Sequence, residues 1–113
     1  MYNTFGDNMD GIIVINKAID YTSHDVISIL RKILNTKKLG HTGTLDPDAS
    51  GVLVVGMNKG TKIMKYLNSD DKIYQARACI GRSTDTLDKT GELLKQEDVT
   101  SIDNLDEVIQ SFK

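Results

Sequence analysis

The chain's only proline, Pro47, sits in a stretch from Gly40 to Gly51 made mostly of small and polar residues. Proline fixes its own φ and pushes the residue before it, Asp46, towards an extended backbone. Gly43 supplies a point where the chain can take angles that other residues resist. By composition this stretch is a loop, so regular structure must end before it and resume after it. The run Val52 to Met57 that follows is densely apolar and reads as a strand. Lys37 to Gly40 reads as a short extended lead into the loop.

Upstream, Gly11 opens Ile12-Ile13-Val14-Ile15, a β-branched run whose continuous apolarity predicts a short strand buried on both faces. Thr22-Ser23-His24-Asp25 has the form of a helix start, a hydroxyl followed by an acid in the first turn. Val26, Ile29, Leu30, Ile33 and Leu34 then recur at helical spacing, and the helix should end near Asn35. Downstream, Asn58 is placed to cap a helix carrying Ile63, Met64 and Leu67, and Ser69-Asp70-Asp71 reads as a turn. Ile73 to Ile80 alternates as a strand, with Tyr74, Ala76, Ala78 and Ile80 on one face. Residues 81–91 form a loop, and Leu93-Leu94 a short strand. Leu105, Val108, Ile109 and Phe112 at i, i+3, i+4, i+7 predict an amphipathic tail helix. Residues 1–10 are polar and aperiodic, a flexible start. Strands and helices mingle, so the expected class is α+β.

The chain has 113 residues, 39% hydrophobic and 27% charged, which favours one globular domain or part of one. The net charge of −2 argues against nucleic-acid binding by bulk electrostatics. The charge is segregated, however. Lys37, Lys38, Lys59, Lys62 and Lys65 flank the Asp46 region, while acids gather in 85–107. The single cysteine, Cys79, rules out an intrachain disulfide and sits in an apolar alternating run as a small core residue. No signal peptide and no run of membrane-spanning length is evident, so a cytoplasmic location is expected.

Asp46 concentrates the chemical interest. A carboxylate displayed on a stiffened loop serves as a nucleophile or a general base. Asp-Pro is also a common way to begin a turn. A calcium reading exists too, since Asp46, Asp48, Ser50 and Gly51 fall at EF-hand loop positions one, three, five and six. Position twelve is Met57, where a bidentate Glu is needed, and the flanks read as strands.

The fourteen residues Gly40-His41-Thr42-Gly43-Thr44-Leu45-Asp46-Pro47-Asp48-Ala49-Ser50-Gly51-Val52-Leu53 resemble the catalytic motif of the TruB family of tRNA pseudouridine synthases, a core shared with dyskerin-like enzymes. Gly11 to Ser23, with Lys17 and Thr22-Ser23, resembles the family's first motif. Thr61-Lys62 and Tyr66-Leu67 resemble the helix after the catalytic strand. Asp71 to Tyr74 and Gly81 to Asp88 resemble the strand and loop beyond. The likeness spans roughly residues 11–95. It departs at Lys17-Ala18, where the family usually has Lys-Pro.

The resemblance implies a pseudouridine synthase catalytic fold, a mixed, mostly antiparallel sheet with flanking helices, of which residues 11–113 are the N-terminal portion. The C-terminal part and a PUA-type RNA-binding domain would be absent. It implies isomerisation of the T-loop uridine, position 55, of tRNA, with Asp46 as the catalytic nucleophile. His41 would contact RNA where the target nucleotide has been turned out of its stack, and Tyr74 would stack on the uracil. No cofactor and no metal is expected. The expected partner is the tRNA T-arm stem-loop, with no membrane, and self-association through an exposed sheet edge is a further expectation. In the family, later segments supply a basic partner for the Asp and close the pocket. The alternative is therefore a truncated, catalytically weak or inactive RNA-binding or scaffold fragment.

Overall fold

The computed structural model describes residues 9–67 and 71–113. The chain divides into two compact units, one through Lys72 and one from Ile73. The expected turn at 69–71 falls largely outside the described residues, as do residues 1–8 of the expected loose start.

The first unit is built on a three-stranded sheet in the order β1-β3-β2. β1 is Gly11–Lys17, β2 Leu39–Thr42 and β3 Gly51–Met57. Both pairings are antiparallel, with Ile13 opposite Val55, Ile15 opposite Leu53, and His41 opposite Val55 from the other side. The helix α1, Ser23–Ile33, lies between β1 and β2 in the chain. Thr22 caps it. Its Oγ1 accepts from the Asp25 amide at 3.0 Å, and the Asp25 carboxylate accepts from the Thr22 amide at 2.8 Å, a complete capping box. At the other end Asn35 takes φ +48 and the Thr36 amide reaches back to the Arg31 carbonyl, which stops the helix where the sequence suggested.

The core consists of Val26, Ile27, Leu39, Leu53, Val55 and Met57, with Ile15, Leu30 and Leu34 packed against it. Two expectations change here. The buried stripe of α1 runs through Ser23, Val26, Ile27, Leu30 and Leu34, so Ile29 and Ile33 fall to one side and are exposed. β1 is buried on one face only. Ile12 and Val14 remain 45% and 63% exposed, because α1 covers the Ile15/Leu53/Val55 face and leaves much of the other open.

After β3 the chain forms two 3-10 helices, Asn58–Lys62 and Met64–Tyr66, in place of the expected α-helix. Their bonds close at i+3, as in Ile63 to Gly60 and Tyr66 to Ile63. Asn58 is not a cap. It takes φ +52, and its side-chain amide donates to the Met9 carbonyl at 2.7 Å. Gly60 meets the backbone of Gly11, and a Cβ on Gly56 would come within 2.7 Å of the Gly60 carbonyl. That close approach lets the turn lie flat on the sheet and leaves no room for side chains at either position.

The second unit contains an antiparallel hairpin of β4, Arg82–Thr84, and β5, Leu93–Gln96, followed by the short helix α2, Leu105–Gln110. Asp88 organises the hairpin loop, its Oδ1 accepting from the Thr86 hydroxyl, the Thr90 hydroxyl and the Thr90 amide at 2.8, 2.6 and 2.7 Å. The expected strand over 73–80 is not formed; these residues are exposed and pair with no described strand. Ala76 and Ala78, with little apolar area to bury, make that alternation weak. Cys79, expected in a core, is exposed for the same reason. The tail helix forms as expected, but it ends before Phe112 and none of its residues is buried. The α+β class holds, and every described strand pairing is antiparallel.

Candidate active site

The loop of interest joins β2 to β3, leaving the sheet at Thr42 and rejoining it at Gly51. Its flanks are strands, not the paired helices of an EF-hand. Gly43 takes φ +71 to turn the chain out of β2. The Ala49 amide donates to the Asp46 carbonyl at 3.0 Å, so Asp46-Pro47-Asp48-Ala49 is a β-turn with proline at its second position. Asp46 is thus a turn residue by backbone, with its side chain exposed to solvent.

The loop is fastened to the segment between β1 and α1. The Ser23 hydroxyl accepts from the Leu45 amide at 3.0 Å and donates to the Leu45 carbonyl at 3.3 Å. The Asp20 amide donates to the Pro47 carbonyl at 2.8 Å. The residues on either side of Asp46 are therefore both tied to positions 20–23. That segment is itself held by Lys17, which is only 1% exposed. The Lys17 ammonium donates to the carbonyls of Ala18 and Tyr21 at 2.9 and 2.6 Å. These two bonds hold the turn at the position where the family usually has proline, here Ala18. Beside Lys17 lies a cavity of about 200 Å³ lined chiefly by Ile15, Ala18, Tyr21, Ile29 and Leu30.

His41 lies on β2, five residues before Asp46, on the sheet face shared with the buried Val55. Its Nδ1 is buried and has no hydrogen-bond partner among the described residues. An orphaned buried nitrogen is costly, and a water or another polar group that reached it would gain a bond. His41 and Asp46 thus belong to one strand-loop connection. Tyr74 belongs to the second unit, half exposed and outside any strand. Asp85 and Asp88 serve the hairpin loop, Asp85 by accepting from the Glu92 amide at 2.8 Å. No helix among the described residues is long and apolar enough to cross a membrane.

Ser23 went unremarked in the sequence except as part of a motif. Its signal was the pair of adjacent hydroxyls at the helix start: one suffices for the cap, which leaves the other free for a tertiary bond.

Comparison with known proteins agrees with the motif. The family model of the TruB family pseudouridylate synthase N-terminal domain matches residues 31–113. A curated relative, tRNA pseudouridine synthase B of Caldanaerobacter subterraneus subsp. tengcongensis, is 46% identical over 108 residues, covering 94% of this chain and 38% of that protein. The tRNA pseudouridine synthase B of Clostridioides difficile is 52% identical over 98 residues, covering 87% of this chain and 33% of that protein. The chain thus spans about a third of the length of the curated relatives it matches.

Proposed function

We propose that this chain, which belongs to the TruB family of pseudouridylate synthases, carries the nucleophile of a tRNA uridine isomerase, Asp46, within the N-terminal portion of the catalytic domain. One observation carries the reading. The residues flanking Asp46 are pinned to the 20–23 segment while its carboxylate stays open to a substrate. Such fastening suits a loop that must present a carboxylate in a fixed direction.

The reaction breaks the bond from N1 of uracil to the ribose and forms a new one from C5. A proton leaves C5 and N1 regains one, so atoms and electrons balance within substrate and water. Asp46 acts on the ribose–uracil unit. The substrate is the T-loop uridine of tRNA, turned out of its stack at a cost of a few kcal/mol. His41 contacts the RNA, and its orphaned Nδ1 supports that role. Tyr74 stacks on the uracil. Lys37 and Lys38 lead into β2, and the Lys38 carbonyl bonds the Asn58 amide, which brings them beside Lys59 on the first 3-10 helix. Lys59 pairs with Asp10 at 3.4 Å, while Lys37 and Lys38 are exposed, and exposed ammonium groups of this kind suit a phosphate backbone. A cytoplasmic location belongs to the same reading.

The test is tritium release from T-arm RNA labelled at C5 of uridine. The expected result is slow release by the 113-residue chain and none from RNA lacking the T-loop uridine. Tight binding of the RNA with no release contradicts the catalytic reading and favours an RNA-binding fragment.

A further inference from the structure

We propose that Ser23 is a positioning residue for Asp46: its hydroxyl, bonded to both polar groups of Leu45, sets the direction in which the carboxylate is presented and thereby the rate of the chemical step. The inference rests on the reading of Asp46 as nucleophile.

Ser23 is the first residue of α1 and is 3% exposed. A hydroxyl so deeply buried must find partners. The helix cap does not need it, because Thr22 and Asp25 already complete the capping box. Instead it reaches across 22 positions of sequence to Leu45. There it engages the amide and the carbonyl of one residue, as a partner strand does in an antiparallel ladder. Leu45 has left the sheet, so the serine hydroxyl stands in for the missing strand.

The remaining contacts show why this bond governs direction. Beyond Asp46, Pro47 is tied through its carbonyl to the Asp20 amide, and the Asp46 carbonyl is tied to Ala49. Before Asp46, the Leu45 side chain lies against Gly51, where a Cβ would sit 3.7 Å from Leu45 Cδ1. That apolar contact permits sliding and rotation. The Ser23 bonds fix the register of the peptide leading into Asp46. An exposed carboxylate on a loop depends on such support, and a misplacement of about 1 Å can cost on the order of 100-fold in rate.

The test uses the full 113-residue chain, wild type and Ser23→Ala. In the wild type, hydrogen exchange at the Leu45 amide should be about ten-fold or more slower than at the exposed Thr44 amide. In Ser23→Ala that protection should vanish while the amides of Leu53 and Val55 stay protected. Single-turnover tritium release should fall about 10- to 100-fold with an unchanged dissociation constant for T-arm RNA. A Leu45 amide as open as Thr44 in the wild type overturns the proposal, and so does a Ser23→Ala chain that keeps the wild-type rate. Asp46→Asn separates the two readings. If it keeps releasing tritium the nucleophile assignment fails, while exchange at Leu45 still reports independently on whether Ser23 holds the loop.

Discussion

The Asp20 amide donates a 2.8 Å hydrogen bond to the carbonyl of Pro47, joining the turn after β1 to the residue that follows Asp46. Asp20 takes φ +71, a conformation uncommon for a side-chain-bearing residue, so this turn must be held from elsewhere. Lys17 holds it.

Replacing Lys17 by Met should therefore do more than remove a charge. It leaves the Ala18 and Tyr21 carbonyls without their buried donor. Each lost bond to a charged group costs about 1.5–3 kcal/mol. Urea unfolding should show a drop of that order or larger, and exchange at Leu45 should rise with it. An unchanged midpoint would mean that water replaces the ammonium without loss.

The capping box makes the helix start pH-dependent. Hydrogen bonding from the Thr22 amide, and then its hydroxyl, holds the Asp25 carboxyl below its ordinary value of 3.8. A depressed folded value means the stabilisation is present above the unfolded value and is lost as pH falls through the folded one. The stability gap between wild type and Asp25→Asn should thus be full at neutral pH and shrink below 3.8. Thr22→Ala should cost about 1 kcal/mol at neutral pH. A gap that widens in acid would contradict the assignment.

Asp88 gives a second titration, in the hairpin loop. Bonds from the Thr90 hydroxyl and amide, then from the Thr86 hydroxyl, hold its carboxyl down to about 2. Carbon-detected NMR titration should find that value, with the order of the 85–92 loop fading between 3.8 and about 2. Thr90→Val should return Asp88 towards the ordinary value. A normal titration in the wild type would show that the loop bonds do not persist in solution.

The open sheet face bears on association. Val14 and Val52 are 63% and 66% exposed on one side of the sheet, and β1 and β2 both lie at its edges. Such surfaces invite pairing. Light scattering after size exclusion should show a mass that rises with concentration, and Val14→Lys should suppress the rise. A strictly monomeric wild type at millimolar concentration would refute this.

How far these features were legible depended on how local their causes are. The apolar run of β3, the capping box of α1 and the tail helix rest on neighbouring residues, and each formed. The stretch 73–80 had the alternation of a strand, but a strand also needs a partner and enough apolar area, which Ala76 and Ala78 do not provide. Asn58 looked like a cap by type, yet its side chain was drawn to Met9, which nothing nearby in sequence foretold. In the candidate site, the strand-loop connection that holds His41 and Asp46 was legible through the long motif. The fastening of Leu45 and Pro47 to residues 20–23 was not, because it joins segments more than twenty positions apart whose approach exists only in the folded chain.

The role of Asp46 is tested most plainly by single-turnover tritium release from wild type and Asp46→Asn, both in excess over T-arm RNA labelled at C5 of uridine. Measurable release is expected from the wild type, and none from a variant that retains the fold and the RNA affinity. Release by Asp46→Asn at the wild-type rate would contradict the assignment of Asp46 as nucleophile.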